Sequence, residues 1–231
     1  MSRIGVEIKF TLPGDQVAAG LAAFGLRDED AERVLVYFLD RLDPAGDPWL
    51  FGQHVVLRVR REPDDSGDVT AKLRPAEPGR LIGRWRPGTD HDRDHAEYPV
   101  EYDWAGDERL AASVKVKHRT GVAALLDGPR KQVFSAEQQD FLRRCGPSLE
   151  QPMRDLTAAG PVAARRWSVD DLRAEQWTWG AGRTFLELSL RCTRDKAAGR
   201  RARLAAELER LGLKPDDTAT TKTEAVLRDL L

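Results

Sequence analysis

VVLRVRREPDDSGDVTAKLR, residues 55–74, is the stretch on which the fold turns. Two runs rich in β-branched residues flank Pro63-Asp64-Asp65-Ser66-Gly67, and that punctuation predicts a hairpin of strands 55–62 and 68–75. Side chains two apart on a strand share a face. Arg58 and Arg60 therefore share one face of the first strand, and Lys72 and Arg74 one face of the second. Like charges directly opposite each other destabilise a sheet. Four cations on one hairpin face predict a bound anion that offsets their repulsion.

The same alternation extends outward from the hairpin. Residues 3–12 read as a strand carrying Glu7 and Lys9. Pro13-Gly14-Asp15 stops it and starts a short helix to about Phe24. RVLVYFLD, 33–40, is a second strand, followed by a turn-rich loop over 43–52. After a loop-like stretch, 76–95, EYPVEYDW at 97–104 is a strand with Glu97 and Glu101, its Pro99 marking an edge or a bulge. Residues 113–126 suggest a further strand and a turn. Ser135 with Gln138 is a capping box opening the helix AEQQDFLRRC, and 146–162 reads as a connection. AARRWSV, LRAEQWTW and TFLELSLR follow as strands, the last two forming a hairpin over Gly180-Ala181-Gly182. A helix covers about 195–212, and Thr221 with Glu224 opens a last helix to Leu231. Two sets of strands with helices, about 1–105 and 106–231, predict two related halves closing one antiparallel barrel within a single domain, 1–231.

If the charged faces converge, they build a cavity with two sides. Arg58, Arg60, Lys72, Arg74, one of Arg165 and Arg166, and Arg191 make the basic side. Glu7, Glu101 and Glu187 make the acidic side. Oxygen ligands of this kind suit Mg2+ or Mn2+, which hold phosphates through a few carboxylates and waters. Lys222 lies in the first turn of the last helix, where a cation opposes the dipole and a phosphate partner would offset it. His91-Asp92-Arg93-Asp94-His95 reads as a solvated loop rather than a metal site.

With 37 basic and 38 acidic residues the net charge is -1, which argues against bulk attraction to nucleic acid or an anionic membrane. No run reaches the roughly 18 apolar residues of a membrane span, and no signal-peptide core opens the chain. Cys145 and Cys192 are far apart and form no C-x-x-C, so the expected compartment is the reducing cytoplasm. Neither a phosphate-binding G-x-x-x-x-G-K-[ST] loop nor a G-x-S-x-G nucleophile elbow occurs. Scarce aromatics beside the arginines argue against an RNA-binding sheet.

Glu7-Ile8-Lys9, YFLD at 37–40, LRVRRE, AKLR, the Glu101 strand, FLELSLR and the terminal TKTEAVL together resemble the CYTH superfamily, the triphosphate tunnel metalloenzymes, over nearly the whole chain and in the family's order. The resemblance implies an α+β fold built on an eight-stranded antiparallel β tunnel, open at both ends, with helices packed outside. Its activities are inorganic, thiamine and RNA triphosphatase and class IV adenylate cyclase, all dependent on Mg2+ or Mn2+. It implies phosphate binding by Lys9, Arg58, Arg60, Lys72, Arg74 and Lys222, joined by Arg165 with Arg166 as the alternative. It implies metal binding by Glu7, Glu101 and Glu187, and catalysis through Glu7 and Lys9. The expected partner is a small molecule carrying a triphosphate, or a polyphosphate. Two positions depart from the family: its opening E-x-E-x-K reads Gly5-Val6-Glu7-Ile8-Lys9, and its late E-x-E reads Glu187-Leu188-Ser189. The resemblance therefore predicts metal-dependent triphosphate hydrolysis, with a non-catalytic polyphosphate- or nucleotide-binding module as the alternative.

Overall fold

The structure, a computed structural model, describes residues 4–87, 96–129, 132–148, 153, 155–216 and 222–231. The strands are β1 (Gly5–Leu12), β2 (Glu32–Asp40), β3 (Val55–Arg61), β4 (Gly67–Leu73), β5 (Ala96–Glu97), β6 (Val100–Trp104), β7 (Glu108–His118), β8 (Thr157–Val169), β9 (Leu172–Trp179) and β10 (Arg183–Thr193). The helices are α1 (Val17–Ala23), α2 (Trp49–Gly52), α3 (Val122–Asp127), α4 (Ala136–Cys145), α5 (Arg194–Arg210) and α6 (Lys222–Leu230). The strands pair in the order β4-β3-β2-β8-β9-β10-β1-β6-β7, and β7 pairs back onto β4 to close a barrel.

Nine strands form this ring, not the expected eight, and the sheet is mixed, because β1 runs parallel to β6. The remaining strand, β5, pairs only with β7. Pro99 explains the extra piece. It has no N–H to give a ladder, so EYPVEYDW splits around it into β5 and β6, while its carbonyl still accepts from Ser113 N at 3.0 Å.

Alternation sorts the strands into a wet inner face and a dry outer one. Val6, Ile8 and Leu12 of β1 join Leu186 and Leu188 of β10 beneath Val17 of α1 and Ala197, Leu204 and Leu208 of α5. Gly20 lets α1 approach this closely, since a Cβ there would meet Leu12 Cδ1 at 2.6 Å. On the other side, Leu57, Val59, Val69, Ala71, Val114 and Val116 lie beneath Phe141 and Leu142 of α4. The capping box that opens α4 forms as expected, and its Gln138 is fully buried. Gln138 also donates to the carbonyls of Val69 at 2.8 Å and Val114 at 3.1 Å, tying α4 to β4 and β7 where the ring closes.

One helix departs from the outside position. Residues directly opposite across a strand pair share a face, and Val36 stands opposite both Arg60 and Val162. Val34, Val36 and Val162 therefore face the barrel interior, where they cluster with Phe38, Trp177, Phe185 and Val226 and Leu227 of α6. The inner face is apolar here because a helix lies against it. The capping box expected at Thr221 lies outside the described residues, as does the His91–His95 loop. Among the described residues no helix is long and apolar enough to cross a membrane.

Candidate functional site

The inner face encloses a cavity of about 1160 Å³. Glu7, Lys9, Arg58, Arg60, Lys72, Arg74, Glu101, Glu187 and Lys222 all line it. The hairpin supplies Arg58 opposite Thr70 and Arg60 opposite Asp68. β1 supplies Glu7, opposite Arg191 on one side and Asp103 on the other, and Lys9, opposite Ser189.

These cations do not face one another unopposed. Asp103 is completely buried and holds three of them. Lys9 Nζ donates to it at 2.5 Å and Lys72 Nζ at 2.8 Å, while Arg74 Nε stands 3.1 Å away. Burial alone would raise the Asp103 carboxyl, but Lys72, Lys9 and Arg74 hold it well below the usual carboxylate range. Glu175 is a second hub. It accepts from Arg60 Nη2 at 2.7 Å and from Lys222 Nζ at 2.9 Å. Burial of Glu175 is likewise outweighed by Arg60 and Lys222, which keep it ionised. Lys222 also donates to Glu187 at 2.6 Å and sits 4.5 Å from the centre of the Trp177 ring. The dipole cost of a lysine at the start of α6 is thus offset by two carboxylates before any phosphate arrives.

Asp103 and Glu175 were not among the expected residues. Asp103 follows Glu101 by two positions, the same spacing that flagged the cations, so this same-face carboxylate pair was legible; Glu175 has no acidic residue two positions away. Asp68, on the same face of β4 as Lys72, likewise corrects the expectation of a purely cationic hairpin face.

The basic side keeps unused hydrogen-bonding capacity. The Nε atoms of Arg58, Arg60 and Arg166 are buried without a hydrogen-bond partner. Among the described residues Arg58 has only Thr70 at 3.4 Å and Asp68 at 3.8 Å. Burial, and then Arg60 beside it, push its guanidinium down to about 10. Such groups are costly to bury until an anion meets them. Arg166 lines the cavity, opposite Glu175. Arg165 does not. Opposite Gln176, it points outward, donates to that side chain at 2.7 Å and pairs with Asp28. The alternation of β8 therefore places the neighbour, Arg166, inward.

The acidic side divides. Arg191 Nε stands 3.4 Å from Glu7, and its Nη2 donates to Glu101 at 3.4 Å. Glu187 is not with them; it belongs to the Lys222 cluster. Among the described residues no three His, Cys, Asp or Glu side chains converge as a ready metal cage. Glu7 is pulled down to about 2, burial being outweighed by Lys9 and Arg191, whereas Glu101 is raised by burial and by Glu7. Two hard carboxylates, one short of countercharge, fit Mg2+ or Mn2+, ions often held by one or two carboxylates with phosphate and water completing the shell.

A closed barrel with a charged bore matches solved structures over nearly its whole length. The fold is a CYTH-type tunnel. HpAC1 from Hippeastrum, a candidate adenylyl cyclase described as having a dominant triphosphatase activity, superposes with a TM-score of 0.62 at 14% identity, over 98% of this chain and 96% of that one. A candidate adenylate cyclase from Bacillus halodurans superposes with a TM-score of 0.62 at 14% identity, over 97% and 98% of the two chains. No protein-family model and no curated protein sequence matches the chain. The tunnel is therefore recognised by its shape.

Proposed function

We propose that this tunnel binds a triphosphate, inorganic or organic, together with Mg2+ or Mn2+, and hydrolyses the terminal phosphoanhydride. The observation that carries the reading is the convergence of Arg58, Arg60 and Arg166 on one cavity with a buried, unpartnered Nε on each. Guanidinium groups match phosphate oxygens in geometry and charge. Lys9, Lys72, Arg74 and Lys222 stand within the same cavity and can exchange carboxylate partners for phosphate oxygens. The dominant triphosphatase activity described for the Hippeastrum protein supports hydrolysis at the level of the shared fold.

Glu7 and Glu101 would hold the divalent ion, which supplies Lewis-acid neutralisation of the phosphate oxygens when bound. The chain's own groups divide the remaining work. Burial lowers Lys9, but Glu7 and Asp103 more than restore it and hold it above the usual lysine range. It stays charged and stabilises the developing negative charge instead of taking a proton. A water beside the Glu7–Glu101 pair supplies the oxygen that attacks the terminal phosphorus as the bridging P–O bond breaks, and its proton passes to a phosphate oxygen of the departing chain. Orthophosphate and the shortened phosphate chain leave.

Gly5 and Ser189 favour one rival, a binding module without turnover, because each withholds a carboxylate. Phosphate release from tripolyphosphate, nucleoside triphosphates and thiamine triphosphate, with Mg2+ or Mn2+, decides between them. Turnover on any of them that is lost in Glu101→Gln supports the hydrolase. Tight binding with no release on any of them supports the module.

A further inference from the structure

Arg191 stands directly opposite Glu7 on β10, and Gly5 and Glu7 align with Glu101 and Asp103 on β6. Register alone therefore brings one guanidinium to two carboxylates from two different strands. Its Nε faces Glu7 and its Nη2 faces Glu101, each at 3.4 Å. The two carboxylates are largely buried, while the Arg191 side chain is 51% exposed. The buried partners are fixed by the barrel wall; the cation is the part with room to leave. No other cation comes within ion-pair range of Glu101 among the described residues, and Glu7 has only Lys9 besides.

We propose that Arg191 is a built-in competitor for the divalent ion. It neutralises the Glu7–Glu101 pair in the resting protein, and it leaves that pair when the ion arrives with a triphosphate whose oxygens receive the guanidinium. The inference rests on the hydrolase reading for the identity of the ligand, but not for the competition itself. Two cations cannot share one carboxylate pair without repulsion. A metal alone must displace Arg191 into solvent, whereas a metal–triphosphate complex offers it a new anionic partner. The resting protein thus disfavours bare metal and favours the complex.

Mn2+ alone is the probe, followed by the electron paramagnetic resonance signal of the free aqueous ion. Without triphosphate, Arg191→Met should bind one Mn2+ about tenfold more tightly than wild type, the scale of two partly exposed ion pairs and equal to about 1.4 kcal/mol. Arg191→Gln should gain similarly, Arg191→Lys should stay near wild type, and adding Glu101→Gln to Arg191→Met should abolish the gain. Adding tripolyphosphate should narrow the gap between wild type and Arg191→Met. Equal Mn2+ affinity in wild type, Arg191→Met and Arg191→Gln overturns the proposal, as does a gain that survives Glu101→Gln. If tripolyphosphate binds none of the proteins, the hydrolase reading fails, yet the Mn2+ comparison still judges Arg191.

Discussion

Asp103→Asn is the sharpest perturbation of this cavity. The substitution keeps the shape of the side chain and removes one charge at a completely buried point that holds Lys9, Lys72 and Arg74. Breaking a buried pair from one side costs about 3–5 kcal/mol, because the surviving charge is left uncompensated. At about 2–4 °C per kcal/mol for a chain of this size, the ligand-free protein should melt roughly 6–20 °C below wild type. The same three cations become better anchors for an anion once their carboxylate is gone. Tripolyphosphate in the presence of a chelator should therefore raise the melting temperature of the variant more than that of wild type. For wild type, ligand at a hundred times its dissociation constant contributes about 2.7 kcal/mol. Thermal melts of both proteins, with and without tripolyphosphate, read the two effects separately. A variant that melts within about 2 °C of wild type, or one that gains no more from tripolyphosphate, would refute the claim that Asp103 holds the place of a phosphate.

Arg58→Ala should weaken tripolyphosphate binding by about 1.5–3 kcal/mol, the scale of a charged hydrogen bond, while Arg165→Ala, on the outer face, should leave it unchanged; calorimetric titration of both tests the inward assignment. Acid should destabilise the ligand-free protein. Glu7, Asp103 and Glu175 all have folded-state values below the unfolded carboxylate value of about 4. Their contribution is present above that value and is lost as pH falls toward the folded ones, so urea unfolding should give a smaller free energy at pH 3 than at pH 6. Equal values at the two pHs would contradict the pairing. A Cβ at Gly5 meets nothing nearer than the Cys192 carbonyl oxygen at 3.7 Å, so Gly5→Glu fits the wall and adds a carboxylate beside Glu101. Phosphate release should rise in that variant, and unchanged release with intact tripolyphosphate binding would mean that a missing ligand is not what limits turnover.

The hairpin at 55–74 and the pairing of β9 with β10 were legible because strand alternation and turn chemistry are local. So were the inward positions of Glu7, Lys9, Arg58, Arg60, Lys72 and Arg74, which need only parity within one strand. The choice between Arg165 and Arg166 stayed open because two adjacent arginines differ only in phase. Here the phase is set from outside the motif, by a strand that begins at Thr157 within the supposed connection. The inner position of α6 had a visible sign that went unread. RVLVYFLD is apolar on both faces, which a strand facing a water-filled bore on one side would not be. Glu175 was hidden for another reason: a carboxylate that partners cations from distant strands leaves no local pattern.

The place of β1 has a consequence for how the protein is made. Gly5 lies opposite Thr193, so β1, once outside the ribosome, cannot gain that neighbour until the long intervening stretch has followed it. Its other neighbour, β6, comes about ninety residues earlier but covers only Gly5 to Ile8. Until β10 emerges, the ladder groups of β1 and the apolar row Val6, Ile8, Phe10 and Leu12 wait unprotected. Such distant pairings are slow to form and leave an edge open to other chains. Nascent chains stalled before residue 183 should be the ones that holdase chaperones retain.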